Sequence, residues 1–187
     1  MSYTNLKSDV AGFLHRTDLD GQMDTFVTLA EAMINEGLRG LENQTALDVS
    51  FSGKTYDLPA DYLEVCNLSL DIDVQPSQVS LQQLSEIKQT GNPVAYAIHS
   101  GVIEWSVDIV DAIDGTLIYV NQLPPLTANV TNDVLDKYPL LYLSAMLFYG
   151  FQYLQDDANA DKWIQIYTSQ LNSINKNSGS YVLPQVR

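Results

Sequence analysis

Hydrophobic residues in this chain repeat with two different periods, and the change of period divides it. From Asn132 to Asn177 the period is helical: Leu135, Leu143, Met146, Leu147, Gly150, Phe151 and Leu154 fall on one stripe. A short acidic stretch, Gln155-Asp156-Asp157-Ala158-Asn159, interrupts it, and the stripe resumes with Ala160, Trp163, Ile164, Tyr167, Leu171 and Ile174. Aspartates open the second segment, Lys176 lies in its last turn, and Asn177-Ser178-Gly179-Ser180 stops it, an order that suits the helix dipole. Two apolar stripes joined by so short a turn predict an antiparallel helical hairpin.

The opposite end of the chain is also helical in period. Leu6, Val10, Phe13 and Leu14 share a face, with Thr4 or Asn5 as the expected cap. After the polar link His15 to Gly21, a second helix is predicted from near Gln22. Phe26, Leu29, Ala30, Met33, Gly37 and Leu38 form its apolar side, and Gly37, Arg39 and Gly40 mark its end.

Between these ends the period falls to two. Leu47, Val49 and Phe51 alternate with Asp48 and Ser50, as in a half-buried strand, and Ser52-Gly53 reads as its turn. Tyr56 to Asp61 predicts one short helical turn at Pro59, Val65 to Leu70 a strand, Asp71 to Pro76 a loop, and Ser80 to about Lys88 a short helix. After the breaker Thr90-Gly91-Asn92-Pro93 come three predicted strands, Val94–His99, Val102–Ser106 and Gly115–Val120. His99-Ser100-Gly101 and Asp114-Gly115 are the expected turns, and Asn121 to Leu126 is an irregular link. The fold class is therefore α+β. Residues 1–44 with 127–177 form a helical body, residues 45–126 an inserted small antiparallel β lobe with short helices, and residues 178–187 an extended C-terminal tail.

Charge narrows the functional classes. The chain has 187 residues, 23 acidic and nine basic, for a formal net charge of −14. Sequence-reading DNA binding needs a basic footprint that this chain lacks. A wall past which DNA slides without sticking remains compatible, provided that like-charged copies meet through apolar and hydrogen-bonded contacts. Cys66 is the single cysteine, so an intrachain disulfide is impossible. No secretory signal opens the chain and no run reaches the roughly 20 apolar residues of a membrane span, so a soluble protein made in a reducing compartment is expected, with no membrane partner. Eleven tyrosines are a mild interface signal.

Catalytic patterns are absent. His15 and His99 are the only histidines and lie in different elements, and one cysteine makes no Cys/His metal cluster. Gly53-Lys54-Thr55 resembles the end of a phosphate loop, but Asp48 stands where its first glycine is required and Pro59 follows at once. Asp108, Asp111 and Asp114 lack the alternating ligand spacing and closing glutamate of a calcium loop. No metal, no cofactor and no enzymatic activity are expected.

Four stretches together resemble one family. They are the opening helix with Arg16-Thr17-Asp18 and the helix Phe26 to Leu38; Tyr56-Asp57-Leu58-Pro59-Ala60-Asp61-Tyr62-Leu63-Glu64; Leu117-Ile118-Tyr119 with Leu123-Pro124-Pro125-Leu126; and Lys137 to Met146 backed by Leu154-Gln155-Asp156-Asp157, Ala160 and Trp163. Their order is similar to that of the head-to-tail adaptor (connector) proteins of tailed bacteriophages, of the kind found in short-tailed phages. The resemblance implies a structural virion protein at the head-tail joint, made in the host cytoplasm. It implies a homo-oligomeric ring of about twelve copies under the portal protein, with tail or nozzle proteins beneath and DNA passing through without sequence-specific binding. It further implies that Tyr181, Val182, Leu183, Pro184, Gln185, Val186 and Arg187 form the portal-docking end. Tyr96, Ile98, Trp105 and Tyr119 of the lobe, with Phe148 and Tyr149 of the hairpin, are the expected ring or tail interface. The alternatives are a neck or tail-completion ring protein, or an acidic non-enzymatic binding module.

Overall fold

The structure, a computed structural model, describes residues 1–39 and 43–178. The chain divides into a unit drawn from its two ends, up to Asn43 and from Leu123, and a second unit, Gln44–Gln122. The tail residues Tyr181 to Arg187 lie outside the described residues.

In the first unit, α1 spans Tyr3–Leu14 and α2 Asp20–Gly37. The cap of α1 is Ser2, not Thr4 or Asn5: its hydroxyl accepts the Asn5 N–H at 3.2 Å. The earlier start places Tyr3, Leu6, Val10 and Leu14 on the buried stripe and leaves Phe13 half exposed. On α2 the stripe is Met23, Phe26, Val27, Ala30 and Ile34, while Leu29, expected on it, faces outward.

The expected helix from Asn132 is two helices, α4 Asp133–Lys137 and α5 Pro139–Tyr153. Pro139 cannot donate to the preceding turn and drives Tyr138 out of helical geometry (φ −129°, ψ 59°), so one helix stops and another starts with proline in its first turn. Asn132 caps α4 through the Leu135 N–H at 2.9 Å. Gln155 takes a left-handed conformation (φ 59°) and turns the chain into α6, Asp157–Ser178. Leu123 and Leu126, read as part of a link, are buried among the helices with Leu135, Leu141, Tyr142, Met146 and Tyr167.

The second unit contains β1 Gln44–Asp57, β2 Tyr62–Leu70, β3 Ser77–Gln78, α3 Leu81–Glu86, β4 Ala95–His99 and β5 Val102–Asn121. The two strands expected in Val102–Val120 are one. Along it Ile103, Trp105, Ile109, Leu117 and Tyr119 are buried while Asp108, Val110, Ala112 and Asp114 are exposed, a two-residue alternation that runs through Asp114-Gly115 without turning. Gly115 serves approach rather than a turn: a Cβ there would lie 2.3 Å from the Ser69 carbonyl oxygen of β2. Ser52-Gly53 also fails to turn. Gly53 (φ 80°) sits between two register shifts in a continuous β1, a bulge of the kind that needs positive φ. The expected helical turn at Pro59 is a tight link into β2.

β5 is the spine of the sheet. β1 runs antiparallel along its whole length on one side; on the other, β4 pairs its first part (Tyr96 opposite Trp105) and β2 its last (Leu68 opposite Leu117). β3 extends the sheet beyond β4 in parallel. One sheet face gathers Phe51, Leu58, Leu68, Leu70, Tyr96, Ile103, Trp105, Leu117 and Tyr119 into a core. On the opposite face α3, closed by a Ser80–Gln83 capping box, covers Ala95 and Ala97 with Leu84.

Candidate assembly surfaces

Tyr96, Trp105 and Tyr119, expected at an interface, lie within the lobe core and present no free face as the lobe stands. Trp105 is fully buried between Phe51 and Tyr96, with ring centroids 5.2 and 5.9 Å away. Among the described residues its indole N–H has no acceptor, while its carbonyl accepts from Lys54 Nζ. Strand spacing alone gives no sign of this: an aromatic on the alternating face of a central strand is core first. Tyr119 donates its hydroxyl to Asp61 at 3.2 Å, and burial together with that carboxylate raises its pKa. Ile98 is half-buried at the end of β4, beside a His99–Glu104 pair at 3.2 Å.

On α5, Phe148 and Tyr149 are half-buried neighbours with centroids 5.0 Å apart. Tyr149 packs on the helical core and directs its hydroxyl at Met33 Sδ, 3.9 Å away, so Phe148 is the more available of the pair. A further surface in the same unit has no counterpart among the residues expected from sequence. Phe13 of α1 meets Trp163 of α6 edge to face at 5.4 Å. With Phe151 and Leu154 they floor an open groove of about 560 Å³, rimmed by His15, Arg16, Asp156 and Asn159. Arg16 holds Asp18 through two bonds of 2.7 and 2.6 Å, and that pairing lowers the aspartate pKa to about 2. The sign that could have found it is Phe13 itself, which falls off the 3, 6, 10, 14 stripe.

The acidic residues singled out by spacing do not converge. Asp108 and Asp111 line a cleft with Thr90 to Pro93, whereas Asp114 lies with Asp48 and Asp71. Among the described residues no group of three or more His, Cys, Asp or Glu side chains is placed to hold a metal ion. Nor is any described helix long and apolar enough to cross a membrane. The buried polar chemistry is structural. Glu31 accepts the Leu126 N–H at 2.7 Å, and burial raises its pKa against the lowering effect of that bond. Tyr142 receives a hydrogen bond from Asn132 Nδ2 at 2.7 Å, with its pKa raised by burial. Tyr167 donates to the Met33 carbonyl at 3.0 Å and is pushed up to about 12, also by burial.

The sheet leaves a second kind of surface, an open edge. Leu70 points both backbone groups away from β5, where the Gln75 side chain takes them at 2.8 and 2.7 Å. The next residue, Asp71, donates to the Asp114 carbonyl at 2.8 Å. Because backbone direction alternates along a strand, Asp114, Thr116, Ile118 and Val120 face β2, and the odd-numbered residues between them face β1. Their β1 partners are therefore set: Thr45, Leu47, Val49 and Phe51 bond to β5, and Gln44, Ala46, Asp48 and Ser50 turn their N–H and C=O groups outward. No described strand pairs with that side of β1.

A model of the family described as SU10 adaptor protein matches residues 1–187. No curated protein matches the chain. The match spans both units, so the helices, the inserted lobe and the tail are covered by one family pattern. The chain accordingly belongs to the SU10 adaptor family, the structural, non-enzymatic head-to-tail adaptors of tailed phages.

Proposed function

We propose that this chain is the repeating subunit of the ring between portal and tail, present in about twelve copies and bound to the portal through Tyr181 to Arg187. The single observation that supports this most is the family match over the full chain. A head-to-tail adaptor is an oligomeric connector at the phage head-tail joint, linking portal to tail, and a closed ring needs one heterologous contact repeated around an axis. In this reading Ile98, Phe148 and Tyr149 supply side-chain contacts to the next copy or to a tail or nozzle protein. Tyr96, Trp105 and Tyr119 act from beneath, holding the lobe in shape. The net charge of −14 favours passage of DNA without retention, since a carboxylate-rich wall repels phosphates. The protein is made in the host cytoplasm and joins the virion there.

Binding of the full chain and of a chain ending at Ser180 to the portal of the same virus tests the docking end. A multi-copy complex formed by the full chain and lost on truncation supports it. Equal binding by both moves the contact to the helical unit or the lobe.

A further inference from the structure

We infer that neighbouring copies in the ring join edge to edge, the β1 strand of one lobe pairing in parallel with the β2 strand of the next. The inference rests on the ring reading and names the contact that closes it.

Three strands carry the argument. Residues 44–51 of β1 and residues 62–70 of β2 flank the same stretch of β5, one on each side, and both run antiparallel to it. They are therefore parallel to each other, and the module β1–β5–β2 has two sides of the same polarity on which no described strand pairs. Copies related by rotation about a ring axis can be laid side by side with the polarity preserved at each joint. A two-fold β1–β1 pairing, by contrast, would end at a dimer.

The β1 edge lacks the devices that normally discourage such pairing. Over 44–51 the register is unbroken, there is no proline or lysine, and the one charge, Asp48, accepts the Thr116 hydroxyl at 2.9 Å. Four residues, Gln44, Ala46, Asp48 and Ser50, offer outward N–H and C=O groups. On the β2 side the Gln75 side chain closes the edge at Leu70 and leaves Leu68, which shares its parity, open. The β2 edge has one charge, Glu64, so in a chain of net charge −14 these are surfaces on which copies meet with little repulsion. Leu47 on β1 and Leu63 on β2, 36% and 38% exposed, lie on the two edges and lose water when the edges join.

Cys66, exposed on β2 and the only cysteine of the chain, provides the probe. Within one lobe β1 and β2 are separated by β5, two strand spacings or roughly 10 Å, beyond the reach of a disulfide; adjacent paired strands are within it. Ala46→Cys, Asp48→Cys and Ser50→Cys are made singly, the ring is assembled on the portal and confirmed by native mass, and the sample is oxidised and run without reductant. The expected result is, for at least one position, a ladder of covalent multimers rising to the full copy number. The ladder should be absent from the unsubstituted chain and from the same variant carrying Cys66→Ser. Ala46→Pro, at an outward N–H, should leave the melting temperature of the free chain in place and abolish the ring. An intact ring with no ladder, or a ladder ending at dimers, overturns the edge pairing while leaving the adaptor reading standing. Failure of any ring to form overturns both.

Discussion

In the helical unit the core is supplied, among the described residues, by five helices from both ends of the chain, each presenting a stripe and each contributing a few small aliphatic or aromatic side chains. In the lobe one strand, β5, touches β1, β2 and β4, and its core is concentrated in Phe51, Tyr96, Trp105 and Tyr119. The first arrangement spreads stability over many substitutable positions. The second makes the register on a single spine, and the few rings packed against it, decisive. Each unit contains one of the two tryptophans, Trp105 in the lobe and Trp163 among the helices, so each has its own fluorescent reporter.

The contrast breaks hardest at Trp105. Trp105→Ala should cost about 4 kcal/mol, as for other fully buried large aromatics, and segment-resolved amide exchange should show the loss in β1, β4 and β5 first. Gly115→Val comes next: its Cβ meets the Ser69 carbonyl, so β2 must move off the spine at a cost of about 3 kcal/mol, seen in urea unfolding followed by Trp105 emission. In the helical unit Asn132→Ala should cost about 2 kcal/mol, because it removes the α4 cap and leaves the buried Tyr142 hydroxyl without its donor. Ser2→Ala, which removes an exposed cap, should cost about 1 kcal/mol in the same assay read through Trp163.

The smallest effect is in pH. The folded pKa of Glu31 lies above its ordinary value of 4.5, so the native state binds the proton more readily than the unfolded chain. Its contribution is fully present below the ordinary value and is lost as pH rises toward the raised one. Glu31→Gln should therefore flatten that part of the stability profile relative to the parent chain, measured by urea unfolding at a series of pH values.

The helical ends were legible because helix periodicity is local: Leu6, Val10 and Leu14, or Ala160, Tyr167 and Ile174, identify a face without knowledge of what covers it. Where the reading failed, the missing information was non-local. Asp114-Gly115 looks like a turn until Ser69 is known to lie against it, and Ser52-Gly53 until β5 is seen to continue opposite. Pro139 is a partial exception, since its effect on Tyr138 is local and was outweighed by the continuity of the stripe. The burial of the aromatics expected at an interface has the same non-local origin. Aromatic content marks a residue as adhesive, but whether Trp105 adheres to its own lobe or to a neighbour depends on strands that pair from elsewhere in the chain. The outward groups of Gln44, Ala46, Asp48 and Ser50 are backbone atoms and have no signature in composition.

Whether this chain builds the ring between portal and tail is decided by native mass measurement of the chain mixed with its own portal. A discrete complex is expected, containing the portal and a fixed set of about twelve copies of the 20.8 kDa chain, with no ladder of partial occupancies at saturation. A chain that stays unbound beside an intact portal would contradict it.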